Sequence, residues 1–578
     1  MNAAAVGDTL EEIAILLELK GENPFKIRAY TRAARALETL SEDLGTLVAE
    51  KRLEEVDGIG KAIAEKVTLL VTTGKLEYLD GLRGEFPAGI FELFELQGLG
   101  AKKIKLLYDK LGVDSVAKLK AVCEDGSAGQ LPGLGEKSAT NFLKAIVQRE
   151  KCAGQFRLGD ISALADGMLD DLRTLPEVDQ VQVAGSHRRR KEVVGDLDFI
   201  VATRHPKEVS EYFVSHPLVD SILAQGATKS SVLLKNGIQC DLRVVKADEF
   251  PFALNYFTGS KEHNVKMRSL ALERGWSLNE YRFSVAEGRP LREPLPEVQT
   301  EEDIYGSLGL AYVEPELRED RGEFAAAAEG TLPKLIELAN LRGTFHCHTT
   351  ASDGRATLDE MAEAALELGL QYLGIADHSK SSVQAHGLDE KRLLEQVKTI
   401  EEYNARDTGL RLFSGTECDI KKDGSLDFPE EVLSRLDYVV ASVHSAFTLS
   451  ETAMTERLIK AMSSPHVTML GHLTGRLLLS REPYQVNIPA VIEAAAETGT
   501  LIEINASPYR LDMDWRWWPQ AKEKGVRCVI NPDAHSTRGF QDLVFGIGVA
   551  RKGWLTREDV VNTLPLGKIE AVLAAKRH

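Results

Sequence analysis

Hydrophobic positions change their period along the chain, and the changes mark out its parts. Over residues 9–50 apolar side chains fall at helical spacing, which predicts a helical start. Gly195-Asp196-Leu197-Asp198-Phe199-Ile200-Val201 is apolar and partly β-branched behind a glycine, which predicts a strand. Ile238-Gln-Cys-Asp241-Leu-Arg-Val-Val245 predicts the next one. Beyond Leu341, short β-type runs such as Tyr438-Val-Val-Ala-Ser-Val443 precede helical patterns, the alternation of a β/α fold. Such a chain is multidomain, α+β in its first half and α/β in its second.

Length agrees, since 578 residues exceed one core and predict three to five domains. No apolar run is long enough for a bilayer, and Ile13–Leu17 is too short and acid-flanked for a signal peptide. Six scattered cysteines fit a reducing compartment, so the expectation is a cytoplasmic protein with no membrane contact. Net charge is −18, divided as −5 over residues 1–300 and −13 over residues 301–578. Adhesion of the whole surface to nucleic acid is excluded, and any contact must use local cationic sites, best found in the first half.

Three such sites share a pattern: Val56-Asp57-Gly58-Ile59-Gly60, Leu96-Gln97-Gly98-Leu99-Gly100 and Leu131-Pro132-Gly133-Leu134-Gly135. A lysine-bearing helix follows each, with Lys61 and Lys66, then Lys102, Lys103 and Lys105, then Lys137 and Lys144. Glycines two apart allow a tight turn that leaves helix N–H groups free for a phosphate. This is the helix-hairpin-helix signature, a sequence-independent grip on a DNA backbone; a helix cap is the alternative for a single copy, and three copies with trailing lysines favour the phosphate. Upstream, Phe25, Lys26, Arg28, Tyr30, Arg32 and Arg35 put cations beside aromatics, as in a phosphate-lined groove.

Asp196 and Asp198 share one strand face while Leu197 points to the other. Two neighbouring carboxylates repel, a cost met where a divalent cation lies between them; a solvated face is the alternative. Gly185-Ser186 permit close backbone approach, and Arg188-Arg189-Arg190-Lys191 offer cations to a polyphosphate. Asp241 adds a third acid, or is an edge carboxylate beside Arg243. Farther on, Tyr256-Phe257-Thr258-Gly259 presents a rigid aromatic pair to a sugar, and Lys261, Asn264 and Arg268 share one helix face.

These motifs resemble the DNA polymerase X family over residues 1–316. The resemblance implies a nucleotidyltransferase palm with a mixed sheet, in which Asp196, Asp198 and Asp241 carry two magnesium or manganese ions. It assigns Gly185, Ser186 and Arg189 to the triphosphate, and Tyr256, Phe257 and Gly259 to exclusion of a ribose 2′-hydroxyl. Asn264 meets the base in the minor groove and Arg268 the templating strand. Lys261 stands where the family's best-known member has an aspartate, so its contact with the incoming nucleotide differs. Gly58, Gly60, Lys61, Gly98, Gly100 and Lys102 would hold DNA. Lys66 matches the lysine that forms a Schiff base during removal of a 5′-deoxyribose phosphate, with simple phosphate binding as the alternative.

The second half carries metal-type residues at strand ends: His346-Cys347-His348 with Asp353, His378, Glu417, His444, His472, and Asp533-Ala534-His535. Ligands at the carboxyl ends of successive strands assemble one face of a β/α barrel. The set is similar to the PHP (polymerase and histidinol phosphatase) domain, a distorted β/α barrel. That resemblance implies nine ligands, His346, His348, Asp353, His378, Glu417, His444, His472, Asp533 and His535, for up to three manganese, zinc or iron ions. Arg476 is either a phosphate partner or an ordinary salt bridge, and His386 falls outside the set.

The expected organisation is a helical lyase-like domain at 1–80, a helix-hairpin-helix domain at 81–150, a palm at 151–255 and a thumb-type domain at 256–316. An acidic surface connector at 317–340 then leads to a metal-dependent nuclease at 341–578. The resemblance implies a monomeric repair polymerase that fills gapped or primer-template DNA from deoxynucleoside triphosphates, with no obligatory protein partner. The barrel would act as a 3′→5′ exonuclease, or remove 3′-phosphates. Two other readings are a DNA-end-binding scaffold and an untemplated transferase paired with a metabolite phosphatase. The complete acidic triad and ligand set argue against the first, and the hairpins with Asn264 and Arg268 against the second.

Overall fold

The computed structural model describes residues 3–576 except 39, 41–43, 57, 95, 97 and 407, and only the backbone of Ala4 and Glu38. Asp57 and Gln97, in the first two glycine turns, lie outside the described residues. The chain divides into two compact units: Met1–Ala153 with Arg355–Met361 and Leu479–Arg481, and Gly154–Gly354 with Ala362–Leu478 and Glu482–His578.

In the first unit, helices α1 (Ala3–Lys20), α2 (Pro24–Glu38) and α3 (Lys61–Thr73) bury Leu10, Ile13, Leu17, Tyr30, Leu37 and Val67 together. Helices α4 (Ala101–Leu111) and α5 (Glu136–Lys151) close a second core around Leu107, Leu119 and Phe142. Gly58, Gly98 and Gly133 have φ of 95, 87 and 83°, a region where a Cβ is strained. Gly60, Gly100 and Gly135 then stand immediately before α3, α4 and α5.

The second unit begins with a five-stranded sheet of β1 (Val178–Val183), β2 (Asp196–Thr203), β3 (Val219–Gln225), β4 (Lys229–Leu234) and β5 (Gln239–Val245). Their order is β1-β2-β5-β4-β3, with β2 and β5 parallel and the other pairs antiparallel, hence a mixed sheet. One turn of helix, α6 (Gly185–Arg188), joins β1 toward β2. Interior strand β2 is covered on both faces: Phe199 and Val201 enter one core, while Ile200 packs with Phe250, Ala253 and Leu254 of α7 (Phe250–Thr258). After α7 comes α8 (Lys261–Glu273), whose Met267 joins Trp276, Tyr305 and Phe324 in the thumb core.

The stretch 317–340, read from its acids as a surface connector, is packed instead. Leu317, Phe324, Ala327 and Leu335 lie in the thumb core. Its buried acid is hydrogen-bonded locally, Glu323 meeting His263 Nδ1 at 2.8 Å and accepting the Asp320 and Arg321 N–H groups at 2.8 and 2.7 Å. Counting charge cannot distinguish a solvated acid from a partnered one.

Eight short parallel strands follow: β6 (Gly343–Cys347), β7 (Tyr372–Ile375), β8 (Arg411–Ser414), β9 (Glu417–Asp419), β10 (Val440–Ser442), β11 (Met469–Leu470), β12 (Leu501–Asn505) and β13 (Cys528–Asn531). They form a three-stranded and a five-stranded sheet, joined by a bridge between His378 and Glu417. A second bridge, Cys347 to Ala534, brings β6 back to the end of β13 and closes the barrel. Phe345, Tyr372, Phe413, Tyr438 and Met469 fill one core.

Sheet domain, thumb and barrel interlock within this unit. A Cβ on Gly159 would lie 2.3 Å from Pro508 of the barrel. The run Arg188–Lys191 is the hub. Arg188 makes bidentate bonds to Glu301 at 2.6 and 3.1 Å and also reaches Thr258 Oγ1 at 2.7 Å. Glu301 simultaneously takes Arg318 at 2.8 Å, and the Arg318 side chain is fully buried. Arg190 packs its stem over Gly548, in helix α9 (Leu543–Lys552) of the barrel.

Burial opposes ionisation of Glu301, but Arg318 and Arg188 outweigh it and hold its carboxyl below the ordinary 4.5. Glu301→Ala leaves two cations uncompensated and is expected to cost about 3–5 kcal/mol, read as a lowered thermal transition at pH 7. A depressed carboxyl pKa stabilises fully above its unfolded value and progressively less below it. The gap between wild type and variant is therefore expected to narrow as pH falls below 4.5.

Candidate active sites

At the mouth of the mixed sheet, Asp198 on β2 is the register partner of Asp241 on β5. Gly185 approaches so closely, with φ of 64°, that a Cβ there would sit 2.4 Å from Asp198 Oδ2. A cleft of about 370 Å³ is lined by Gly185, Ser186, Arg189, Asp196, Asp198, Tyr256, Phe257, Gly259, Lys261, Asn264 and Arg268. Burial and the neighbouring Asp196 and Asp241 push the Asp198 pKa up to about 7. Asp196 is raised too, by burial and then by Asp241. Carboxylates crowded until they resist ionising, around a space only a glycine leaves open, fit divalent cations.

Asp241 behaves differently. It is absent from the cleft lining, and Lys229 on β4 pairs with it at 2.6 Å while Gln239 donates at 3.0 Å. Burial would raise its pKa, but the bonds from Lys229, Gln239 and Ser231 lower it. Lys229 is a cation at this centre that no local motif signalled.

The aromatic pair and the following helix are mutually braced. Tyr256 and Phe257 meet edge to face at 5.2 Å, and the Arg243 guanidinium lies 4.7 Å from the Phe257 ring. The Asn264 amide donates to the Tyr256 carbonyl at 2.6 Å, and Arg268 to the Asn264 carbonyl at 3.3 Å. Ser260 caps α8 by accepting from His263 N at 3.2 Å. The arginine run is not free for phosphate as a block. Arg188 is held by Glu301, whereas Arg189 lines the cleft and bonds both Glu319, at 3.1 Å, and the Thr258 carbonyl.

In the helical unit, Phe25, Arg28, Arg32, Gly58 and Gly60 line a separate cleft. Lys66 is not among its lining residues; its Nζ donates to the Ala62 carbonyl at 3.1 Å and stands 4.9 Å from the Tyr78 ring. Space opens beside Gly60, Gly100 and Gly135, where an added Cβ would meet nothing within 4 Å. Lys61 opens α3 and the Lys102 side chain is 90% exposed in the first turn of α4. The third copy starts α5 with Glu136, which weakens its appeal to an anion.

The barrel gathers its histidines. Three groups have ligand atoms within 4.8 Å of one another: His348, Asp353, His378 and His535; His346, His348 and Asp533; and His378, Glu417 and His444. His472 Nε2 is 2.8 Å from Glu417. Nitrogens of His346, His348, His378 and His472 are buried yet make no hydrogen bond, although carboxylates stand close by. Burial opposes charge on His346, but Glu503, Asp533 and Glu417 raise its pKa well above the ordinary range. Glu417 is held well below its own, against burial, by His444, His378 and His346. Orphaned imidazole nitrogens converging on ionised carboxylates are the donor set of transition-metal ions.

A family profile described as DNA polymerase beta thumb matches residues 253–319, and one for a helix-hairpin-helix domain matches 1–76. A SAM-like helix-hairpin-helix tandem matches 90–146 and a PHP domain 344–507, short of Asp533 and His535. Over 566 residues, 98% of each chain, the protein is 39% identical to the DNA polymerase/3′-5′ exonuclease PolX of Bacillus subtilis (strain 168). The chain belongs to the PolX family of DNA polymerases. DNA polymerase lambda of Rattus norvegicus is 28% identical over 54% of this PolX chain and 56% of its own. A protein of Thermoanaerobacter sp. (strain X514) named as a probable phosphatase is 30% identical over 40% of this chain and 94% of its own.

Several residues of this PolX chain escaped the sequence reading. Glu503 on β12 accepts from His346 Nδ1 at 2.6 Å, the His472 N–H at 3.0 Å and Asn531 at 2.8 Å. Asp419 on β9 lies 3.1 Å from His444 Nδ1. Both orient an imidazole from behind, and alternation along their strands was the only signal. Arg476 makes the salt bridge, to Asp514 at 2.8 Å, and also bonds the carbonyls of Arg510 and Leu511. It braces the loop that brings Arg510 within 3.5 Å of Asp533, where one guanidinium nitrogen is buried without a hydrogen-bond partner. Carboxylates behind metal-bound histidines tune affinity about 10–100-fold. Glu503→Gln is expected to weaken manganese binding by about that factor, measured by calorimetric titration of the metal-stripped protein.

Proposed function

We propose that the chain is a DNA-directed DNA polymerase that fills short gaps in DNA repair, with a second, metal-dependent centre in the barrel that removes nucleotides from DNA 3′ ends. The observation that carries this reading is the full-length match to a polymerase/exonuclease, together with two carboxylate-rich centres built on different sheets.

In the sheet domain, Asp196, Asp198 and Asp241 are the proposed holders of two magnesium ions, with Lys229 released from Asp241 when they bind. Gly185, Ser186 and the free face of Arg189 receive the triphosphate of a deoxynucleotide. Tyr256, Phe257 and Gly259 wall off the sugar, and the bracing of Tyr256 by Asn264 keeps that wall rigid. Lys261 borders the incoming nucleotide, Asn264 the minor groove and Arg268 the template. The primer 3′-oxygen attacks the α-phosphorus in line, forming one P–O bond as the bond to pyrophosphate breaks. In the barrel, the nine ligands hold up to three manganese, zinc or iron ions, with Arg510 placed to meet a phosphate. Bound metal ions supply a more acidic attacking hydroxyl or water and neutralise charge building on the phosphate oxygens. The glycine turns with Lys61 and Lys102 grip the DNA backbone, and the Arg28–Arg32 cleft suits a 5′-phosphate. Lys66 is then either a phosphate neighbour or a lyase nucleophile, which borohydride trapping on a 5′-deoxyribose phosphate substrate separates.

A second reading of the barrel, removal of a terminal 3′-phosphate, draws on its likeness to the protein named as a probable phosphatase. No helix among the described residues is long and apolar enough to cross a membrane.

The test is a gapped primer with Mg²⁺ or Mn²⁺. Asp198→Ala is expected to abolish extension and leave 3′ degradation intact, while His346→Ala does the reverse. Degradation lost in Asp198→Ala and kept in His346→Ala would overturn the assignment of two separate centres. A 3′-phosphorylated primer run in parallel reads the phosphatase alternative.

A further inference from the structure

Lys552 ends helix α9 in the barrel, yet its chemistry faces the polymerase. Its side chain is fully buried, and its ammonium donates to Glu319 at 2.7 Å, the Arg189 carbonyl at 3.0 Å and the Glu316 carbonyl at 3.3 Å. The same nitrogen stands 4.7 Å from the Trp515 ring. Burying an ammonium is costly unless every donor is used, and here all three are. Glu319 in turn uses Oε1 to accept from Arg189 Nε at 3.1 Å and turns Oε2 toward Lys191 at 3.5 Å. Arg189 extends from this anchor across the end of α7. Its Nη1 donates to the Thr258 carbonyl and lies 3.0 Å from where a Gly259 Cβ would be. Nη2 has no protein hydrogen-bond partner among the described residues, and Arg189 and Gly259 both line the cleft of the acidic centre. Two of the guanidinium's three nitrogens are thus spent on fixing its direction, which leaves one for a phosphate oxygen.

We propose that Lys552 is a positioning residue of the polymerase reaction: the nuclease domain holds Glu319, Glu319 holds Arg189, and Arg189 is thereby kept at the wall of the nucleotide cleft. Arg551, one position earlier, provides the contrast. It pairs with Glu316 at 2.7 Å and Glu314 at 3.5 Å, joining the same domains without touching Arg189 or Glu319. A lysine that only fastened domains together would be interchangeable in effect with Arg551.

This inference rests on the polymerase reading above. It is tested with full-length protein in single-nucleotide gap filling, titrating the complementary deoxynucleotide. Lys552→Met and Glu319→Gln are each expected to raise KM for the nucleotide about fivefold or more with kcat changed by less than about threefold, while Arg551→Met leaves KM within about twofold. The double variant is expected to be no worse than the more affected single one, because both act through Arg189. Release of 3′ nucleotides by the barrel in the same preparations reports that its fold is intact. If Lys552→Met loses that activity, Glu319→Gln, a change outside the barrel, decides. An unchanged KM in Glu319→Gln, or an equal rise in Arg551→Met, overturns the inference while wild-type extension still stands. Absence of Asp198-dependent extension by the wild type would instead remove the reading beneath it.

Discussion

Packing four consecutive cations, Arg188 to Lys191, into the junction of three domains is the constraint on which the second unit depends. Water would solvate such a run at no cost, whereas here three of the four half-buried cations meet carboxylates. Glu301 answers Arg188 together with Arg318, and Glu319 answers Arg189, Lys191 and Lys552. Trp515 adds an aromatic face with Lys191, Arg321, Arg516 and Lys552 within 6.0 Å of its ring. Sheet domain, thumb and barrel each contribute to this junction, so a shift of any one would break ion pairs made with the others.

The two centres solve a similar electrostatic problem with different materials. Around the mixed sheet, carboxylates face carboxylates, and Asp198 is driven toward neutrality near pH 7 unless positive charge arrives. Lys229 already supplies some to Asp241. In the barrel, carboxylates face imidazoles, so Glu417 and Asp533 stay ionised although burial opposes it. Oxygen-only ligands favour hard, strongly hydrated cations, and mixed nitrogen and oxygen ligands favour transition metals. One chain therefore carries two clusters whose donor sets differ in kind, oxygen alone in one and imidazole with carboxylate in the other.

Much of this was legible in the order of residues, because the informative spacings are short. Glycines two apart announced the turns before α3, α4 and α5, and histidines at the ends of β-type runs announced the barrel face. What stayed hidden depends on partners far away in sequence. Glu503 lies 157 positions from His346, and Lys552 lies 363 from Arg189. The run Arg188–Lys191 misled for a related reason: a cation looks the same in sequence whether it awaits a phosphate or a buried carboxylate. The acids of 317–340 misled in the opposite direction, since Glu319 is held by Arg189, Lys191 and Lys552, and Glu323 is a buried acceptor of His263 and backbone N–H groups, rather than a solvated surface.

Barrel closure through Cys347 and Ala534 also has a consequence in time. The first metal-type residues, His346 and His348, leave the ribosome nearly two hundred residues before Asp533 and His535, so the barrel's cluster of imidazoles and carboxylates cannot assemble until that last pair has emerged. Asp196, Asp198, Asp241 and the thumb emerge far earlier, yet Arg189 receives its last anchor only when Lys552 does. A nascent chain therefore passes through a long interval in which the acidic cleft's own residues have emerged but the barrel cluster and Lys552 have not. Vectorial synthesis thus orders the two clusters in time, the sheet's carboxylates before the barrel's imidazoles.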